Sequence, residues 1–152
     1  MSTPDLDRLF LICNYGVLPA WGMLAIHPGT RLTHWLVHSV FIPMLLGGVY
    51  LFLMLGAVEA PEGAGFTSLQ GVMRFFDSPR LTLAGWVHYL AFDLFVGAWE
   101  ARDAVRRGIR RVWLLPCLLL TLLAGPIGLL LYLTIRLVLE REALLEEGEI
   151  GP

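Results

Sequence analysis

Between residues 81 and 99 the sequence reads LTLAGWVHYLAFDLFVGAW, and this stretch constrains what the rest of the chain can be. A helix needs about 20 predominantly apolar residues to cross a bilayer. Residues 81–92 are too few, so the stretch is a membrane span only if Asp93 goes in with it. A carboxylate near mid-bilayer costs at least ~2.5–3.5 kcal/mol on insertion scales. A partner, a proton or a function must offset that cost. His88 lies five residues before the acid, and Glu100 and Asp103 follow it.

The composition fits a polytopic membrane protein. The chain is 57% hydrophobic and 16% charged, where a soluble domain carries ~25% charged residues. An all-α fold follows: one transmembrane domain over 1–152, with four spans at about 6–26, 33–58, 80–101 and 112–137. A short amphipathic segment at 66–77 carries Phe66, Leu69, Val72, Met73 and Phe76 on one side. It is too short to cross, so it is expected as an interfacial or re-entrant helix between spans two and three. A net charge of −2, with no basic patch interleaved with aromatics, excludes nucleic acid as a partner.

Each span carries its own punctuation. Pro19 is expected to kink the first helix and free a carbonyl near Tyr15, with Asn14 as interhelical glue. His34 and His38, four apart, share a helix face in the second. Asp77-Ser78-Pro79 starts the third, and Gly125-Pro126-Ile127-Gly128 breaks the fourth. Glu59 opens a Glu/Pro/Gly-rich connection, and the tail from Arg136 reads as a short acidic helix. Cys13 and Cys117 fall at different depths, so no disulfide between them is expected.

Residues 100–111 hold five arginines and two acids. This reads as a solvated charged hairpin, with Asp103 pairing to Arg106 or Arg107 along the helix. As the densest positive signal beside a membrane end, the loop from Arg106 to Arg111 is expected in the cytoplasm. The acidic N-terminus has no basic n-region and is unlike a signal or transit peptide. The expected location is a bacterial inner (plasma) membrane.

Depth, taken at 1.5 Å per residue, gathers the polar groups into two layers. Asp93, His88, Asn14, Tyr15 and the break at Gly125-Pro126 fall near the midplane; His38 and Glu100 share a level closer to the cytoplasm. Trp86, Tyr89, Asp93, Glu100 and Asp103 form one stripe of the third helix, and His88, Phe92, Phe95 and Trp99 another. His88 and Asp93 stand about 140° apart, flanking a cavity edge. Two chemistries fit. Asp93 and His88, with Glu100, can serve as catalytic acid and base on an apolar substrate, bound by Asn14, Tyr15, His38, Trp86, Tyr89, Trp99 and Pro126. Alternatively His34, His38, His88, Asp93 and Glu100 bind Zn or Fe. No HExxH pattern surrounds the histidines, so the metal reading is set second and no metal is expected.

The stretch AGWVHYLAFDLFVGAWEARD resembles the abscisic-acid-deficient-4-like family, that of a plant membrane protein needed for neoxanthin formation. Trp86, Val87, His88, Leu90, Asp93, Leu94, Phe95 and Asp103 match its signature, and Pro126-Ile127-Gly128 matches a Pro-[VI]-Gly turn in the last span. The resemblance implies conversion of an epoxide carotenoid to an allene: the epoxide opens and a proton leaves the polyene. Asp93 and His88 are then its candidate acid and base, and no redox cofactor is required. The expectation is an isomerase acting on a carotenoid or other isoprenoid. The rivals are a non-catalytic carotenoid- or lipid-binding membrane protein and a small proton-coupled transporter. Expected partners are the bilayer, an apolar small molecule and, for so small a bundle, a second copy of the chain in a homodimer.

Overall fold

The structure, a computed structural model, describes residues 2–56, 60–140 and 145. The described residues are helical, without strands. The helices are α1 (Thr3–Gly16), α2 (Leu18–Ile26), α3 (Arg31–Leu36), α4 (Phe41–Leu55), α5 (Leu69–Phe75), α6 (Pro79–Arg107), α7 (Arg111–Ala124) and α8 (Pro126–Glu140). Among the described residues, three helical runs are long and apolar enough to cross a membrane: Thr3–Ile26, Arg31–Leu55 and Pro79–Arg107. The expected end of the second span at Val58, the start of the connection at Glu59, and the acidic tail past Glu140 other than Leu145 lie outside the described residues.

The chain divides into two compact units. One holds residues 1–19 and 39–92, the other 20–38 and 93–152. The break between α1 and α2 lies at Val17, two residues before Pro19, where the missing N–H of proline is expected to interrupt the helix. The break between α3 and α4 falls at residues 37–40. Both coincide with the boundary between units, whereas α6 runs through it without interruption.

In the first unit, Ser78 begins α6: its carbonyl accepts from the Thr82 N–H at 2.8 Å, and Pro79 occupies the first turn, where its missing N–H costs nothing. One turn on, Arg80 closes the end of α4. Its Nε–H donates to the Leu53 carbonyl at 2.9 Å and its Nη2 to Phe52 at 3.0 Å, and its guanidinium lies 5.3 Å from the Phe52 ring. Carbonyls of a last helical turn lack intrahelical donors; this arginine supplies one to Leu53 and adds a second to Phe52, which also accepts from the Gly56 N–H at 3.1 Å. α5 forms inside the expected 66–77 segment, with Ser68 accepting from the Gly71 N–H at 3.0 Å. Leu69 and Met73 within it and the flanking Phe66 and Phe76 are exposed, while Val72 of the same expected face is half-buried.

In the second unit the expected fourth span is not one rod. Residues 112–137 fall in α7 and α8, which pack against each other across a turn at Gly125. Gly125 has φ +26°, a conformation that favours glycine. Three residues later Gly128 lies against Thr121; a methyl group on Gly128 would overlap the Thr121 backbone and hydroxyl. In a straight helix these residues would stand about 10 Å apart. α6 ends at Gly108, φ +69°, with the Ile109 N–H bonded to the Ala104 carbonyl at 2.9 Å, a glycine-terminated C-cap. The α7–α8 hairpin then packs back along α6. Asp93 meets Gly125, Gly97 meets Leu118, Glu100 meets Thr121, and Asp103 meets Tyr132 and Arg136. A methyl on Gly97 would come within 2.6 Å of the buried Trp21 indole of α2, so glycine there lets the ring lie on α6.

Candidate functional site

The acid stripe of α6 is the centre of the second unit. Positions 93, 100 and 103 fall along one stripe because seven residues are about two helical turns and ten fall within about a quarter turn of three. Asp93 is 9% exposed, Glu100 0% and Asp103 1%. Each acid is held differently.

Asp93 sits against the turn of the hairpin. A methyl on Gly125 would lie 2.5 Å from Asp93 Oδ1, so only a glycine admits the carboxylate there. The next residue, Pro126, begins α8, and a helix N-terminus carries the positive end of the helix dipole. A carboxylate in a partly buried position of this kind gains up to ~2 kcal/mol, which offsets much of the ~2.5–3.5 kcal/mol insertion cost. Pro126, expected to bind substrate, thereby helps build the seat of the acid.

Glu100 accepts from the Thr121 hydroxyl, 2.9 Å from Oε1 and 3.1 Å from Oε2. Among the described residues no cation lies within ion-pair distance of it. Asp103 is the opposite case. Its Oδ1 accepts from Arg106 Nη2 at 2.6 Å and Arg107 Nε at 3.1 Å; its Oδ2 accepts from the Tyr132 hydroxyl at 2.8 Å and lies 3.3 Å from Arg136 Nε. Both expected partners are present, but Asp103 is buried rather than part of a solvated hairpin. Its oxygens are committed to three arginines and a phenol, a clamp joining α6 to α8. Trp99 packs edge-on to Tyr132, ring centroids 5.6 Å apart.

His38 and Glu100 do not meet. Residues 100 and 102 point to opposite sides of α6, and His38 is engaged by the latter. Arg102 Nη1 lies 3.3 Å from His38 Nδ1, and His38 Nε2 lies 3.2 Å from the Pro28 carbonyl. An arginine can only donate, so Nδ1 accepts and the ring proton is on Nε2, donating to Pro28. His34 stands beside it, ring centroids 6.2 Å apart.

The other expected site residues belong to the first unit. The Trp86 indole N–H donates to Asn14 Oδ1 at 3.1 Å, which makes Asn14 the interhelical link expected of it. Trp86 also packs on Phe10 and Tyr89, at 5.9 and 5.2 Å between centroids. His88 stacks on Phe92 at 4.4 Å and lies 5.8 Å from Tyr50. It is exposed, as is Tyr15 at 60%, whereas Asp93 is buried. The cavity edge expected between His88 and Asp93 therefore resolves into two settings: an imidazole among rings on an exposed face, and an acid against a helix terminus. Among the described residues no three of His, Cys, Asp and Glu converge as a metal site, and the five candidate ligands divide between the two units. Cys13 and Cys117 are both free thiols.

Thr121, Tyr132 and Arg136 are the site residues that sequence reasoning missed. The available signal was the spacing of Tyr132 and Arg136, four apart on one face of an otherwise apolar helix.

A family model described as ABA DEFICIENT 4-like matches residues 8–132. No curated protein and no solved structure matches the chain.

Proposed function

The chain belongs to the ABA DEFICIENT 4-like family, and from that membership and the buried acid stripe we propose that it is a membrane enzyme acting on a carotenoid-like isoprenoid. Membership supports a role related to carotenoids and abscisic acid; the isomerisation chemistry is our reading. An acid gives a proton to the epoxide oxygen as the C–O bond breaks, and a base removes a proton from the polyene carbon to leave an allene. Atoms and electrons balance, with no redox partner. Asp93 and Glu100 are the carboxyl groups available for this, because Asp103 is occupied by its arginines. His88, on the exposed aromatic face with Tyr50 and Phe92, suits contact with a polyene. In this reading the end bearing Arg106 to Arg111 faces the cytoplasm.

The observation that carries the proposal is Asp93: an acid 9% exposed within a helix long enough to span, matching the family signature. The test is expression in a carotenoid-producing host with pigment analysis. Asp93→Asn should insert and accumulate normally but convert no pigment; turnover by that variant would sink the mechanism. One observation favours a second reading. The seat of Asp93 at the start of α8 gives it a structural use, as in a non-catalytic carotenoid- or lipid-binding protein. Purified native protein that retains pigment without altering it would select that reading.

A further inference from the structure

The second unit contains a pocket whose lining includes none of the three acids of the stripe. It has a volume of about 540 Å³ and is lined by Arg31, His34, Trp35, His38, Arg102 and Arg106, together with the Pro28–Thr30 turn. Pockets that take small ligands start at roughly 300 Å³. The charge is one-sided. Three of the six named side chains are arginines and none is an acid. Arg106 is already paired with the buried Asp103 carboxylate, which Arg107 and Arg136 share, so Arg31 and Arg102 are the arginines that make the pocket positive.

Arg102 is also preset. The His38 ring accepts from it while anchored to the Pro28 carbonyl, which leaves the remaining guanidinium donors to be aimed by the fold. Planar guanidinium groups suit the oxygens of a phosphate, which accept paired N–H donors. The surroundings are those of a membrane interface. On α3, Leu32, Trp35 and Leu36 are 63%, 69% and 48% exposed, next to Arg31 and His34. Exposed apolar side chains beside clustered arginines are the arrangement by which membrane proteins hold anionic headgroups.

We propose that this pocket is a phosphate-binding site, built from Arg31 and Arg102 and steadied by His38. The phosphate comes either from a lipid headgroup or from a soluble phosphate compound. The site is independent of the reaction proposed above.

Lipid-stripped protein in a neutral detergent distinguishes the two sources. Thermal unfolding is followed while phosphatidic acid, phosphatidylglycerol, diacylglycerol or inorganic phosphate is titrated in. Saturable stabilisation by the two phospholipids but not by diacylglycerol supports a lipid headgroup. An equal maximal shift with inorganic phosphate supports a soluble ligand. Arg102→Gln and, separately, Arg31→Gln should each weaken the response on the order of tenfold; Arg74→Gln, in the other unit, should leave it unchanged. Arg31 is exposed, so its variant keeps the test valid even if Arg102→Gln folds poorly. Equal stabilisation by diacylglycerol, no response to any phosphate, or a native response from Arg31→Gln would overturn the proposal.

Discussion

Residues 79–92 of α6 are surrounded by rings and the Asn14 amide, whereas residues 93–107 are surrounded by hydroxyls, arginines and glycines. The helix is continuous across that change, and half of its most apolar stretch is buried, against 17% for Arg31–Leu55. In the first unit the polar links between helices, Trp86 to Asn14 and Arg80 to the carbonyls of Phe52 and Leu53, are at least partly exposed. In the second they form a buried set in which Asp93, Glu100 and Asp103 each lean on the α7–α8 hairpin. One helix can therefore carry both a tolerant aromatic face and an exacting charged one, and substitutions on the two should differ in cost.

The largest effect is expected at Asp103. Asp103→Ala leaves Arg136, 2% exposed, and Arg107 without their shared carboxylate. Removing one partner from a buried ion pair costs about 3–5 kcal/mol, to be read as a lower Tm in detergent. An unchanged Tm would remove the claim that this half is the exacting one. Next is Gly128→Ala, whose methyl would overlap the Thr121 backbone. Overpacking of this kind costs roughly 1–3 kcal/mol. It should also separate the hairpin, so cysteines placed in α7 and α8 should crosslink less efficiently than in the native background.

A loss of similar size is expected from Thr121→Val, which keeps the shape but removes the Glu100 hydrogen bond. A buried carboxylate losing such a donor costs about 1–3 kcal/mol, and Thr121→Ser should restore most of it. The smallest is Trp86→Phe, which deletes the link to Asn14. Hydrogen bonds between membrane helices average ~0.6 kcal/mol, so a shift of only a degree or two in Tm is expected. A loss at Trp86 as large as that at Asp103 would erase the difference between the two halves of α6.

Much of the helical layout was legible in the sequence. Among the described residues the helical runs Thr3–Ile26, Arg31–Leu55 and Pro79–Arg107 are long and apolar enough to cross a membrane, and apolar length with the punctuation at Pro19 and Asp77-Ser78-Pro79 is a local signal; the break at 37–40 had no such signal. The acid stripe was legible too, since residues 93, 100 and 103 share a face by helix geometry alone. The partners were not. Nothing local distinguishes Glu100 meeting His38 from Glu100 meeting Thr121, because that choice depends on which helix lies across from which face. A straight span over 112–137 would put Arg136 at the opposite membrane edge from Arg106 and Arg107, whereas the turn at Gly125 brings it to Asp103.

By itself, then, the sequence determined that an acid must enter a membrane-length helix and that two more acids share its face. It also marked the break at Gly125-Pro126, because a proline without an N–H directly follows a glycine free to adopt positive φ. Only the tertiary structure decided that the chain doubles back there. A glycine with positive φ permits many exit directions, and the packing of Gly128 on Thr121 and of Tyr132 and Arg136 on Asp103 selects one of them. That selection brings the start of α8 to Asp93, a hydroxyl to Glu100 and a third arginine to Asp103.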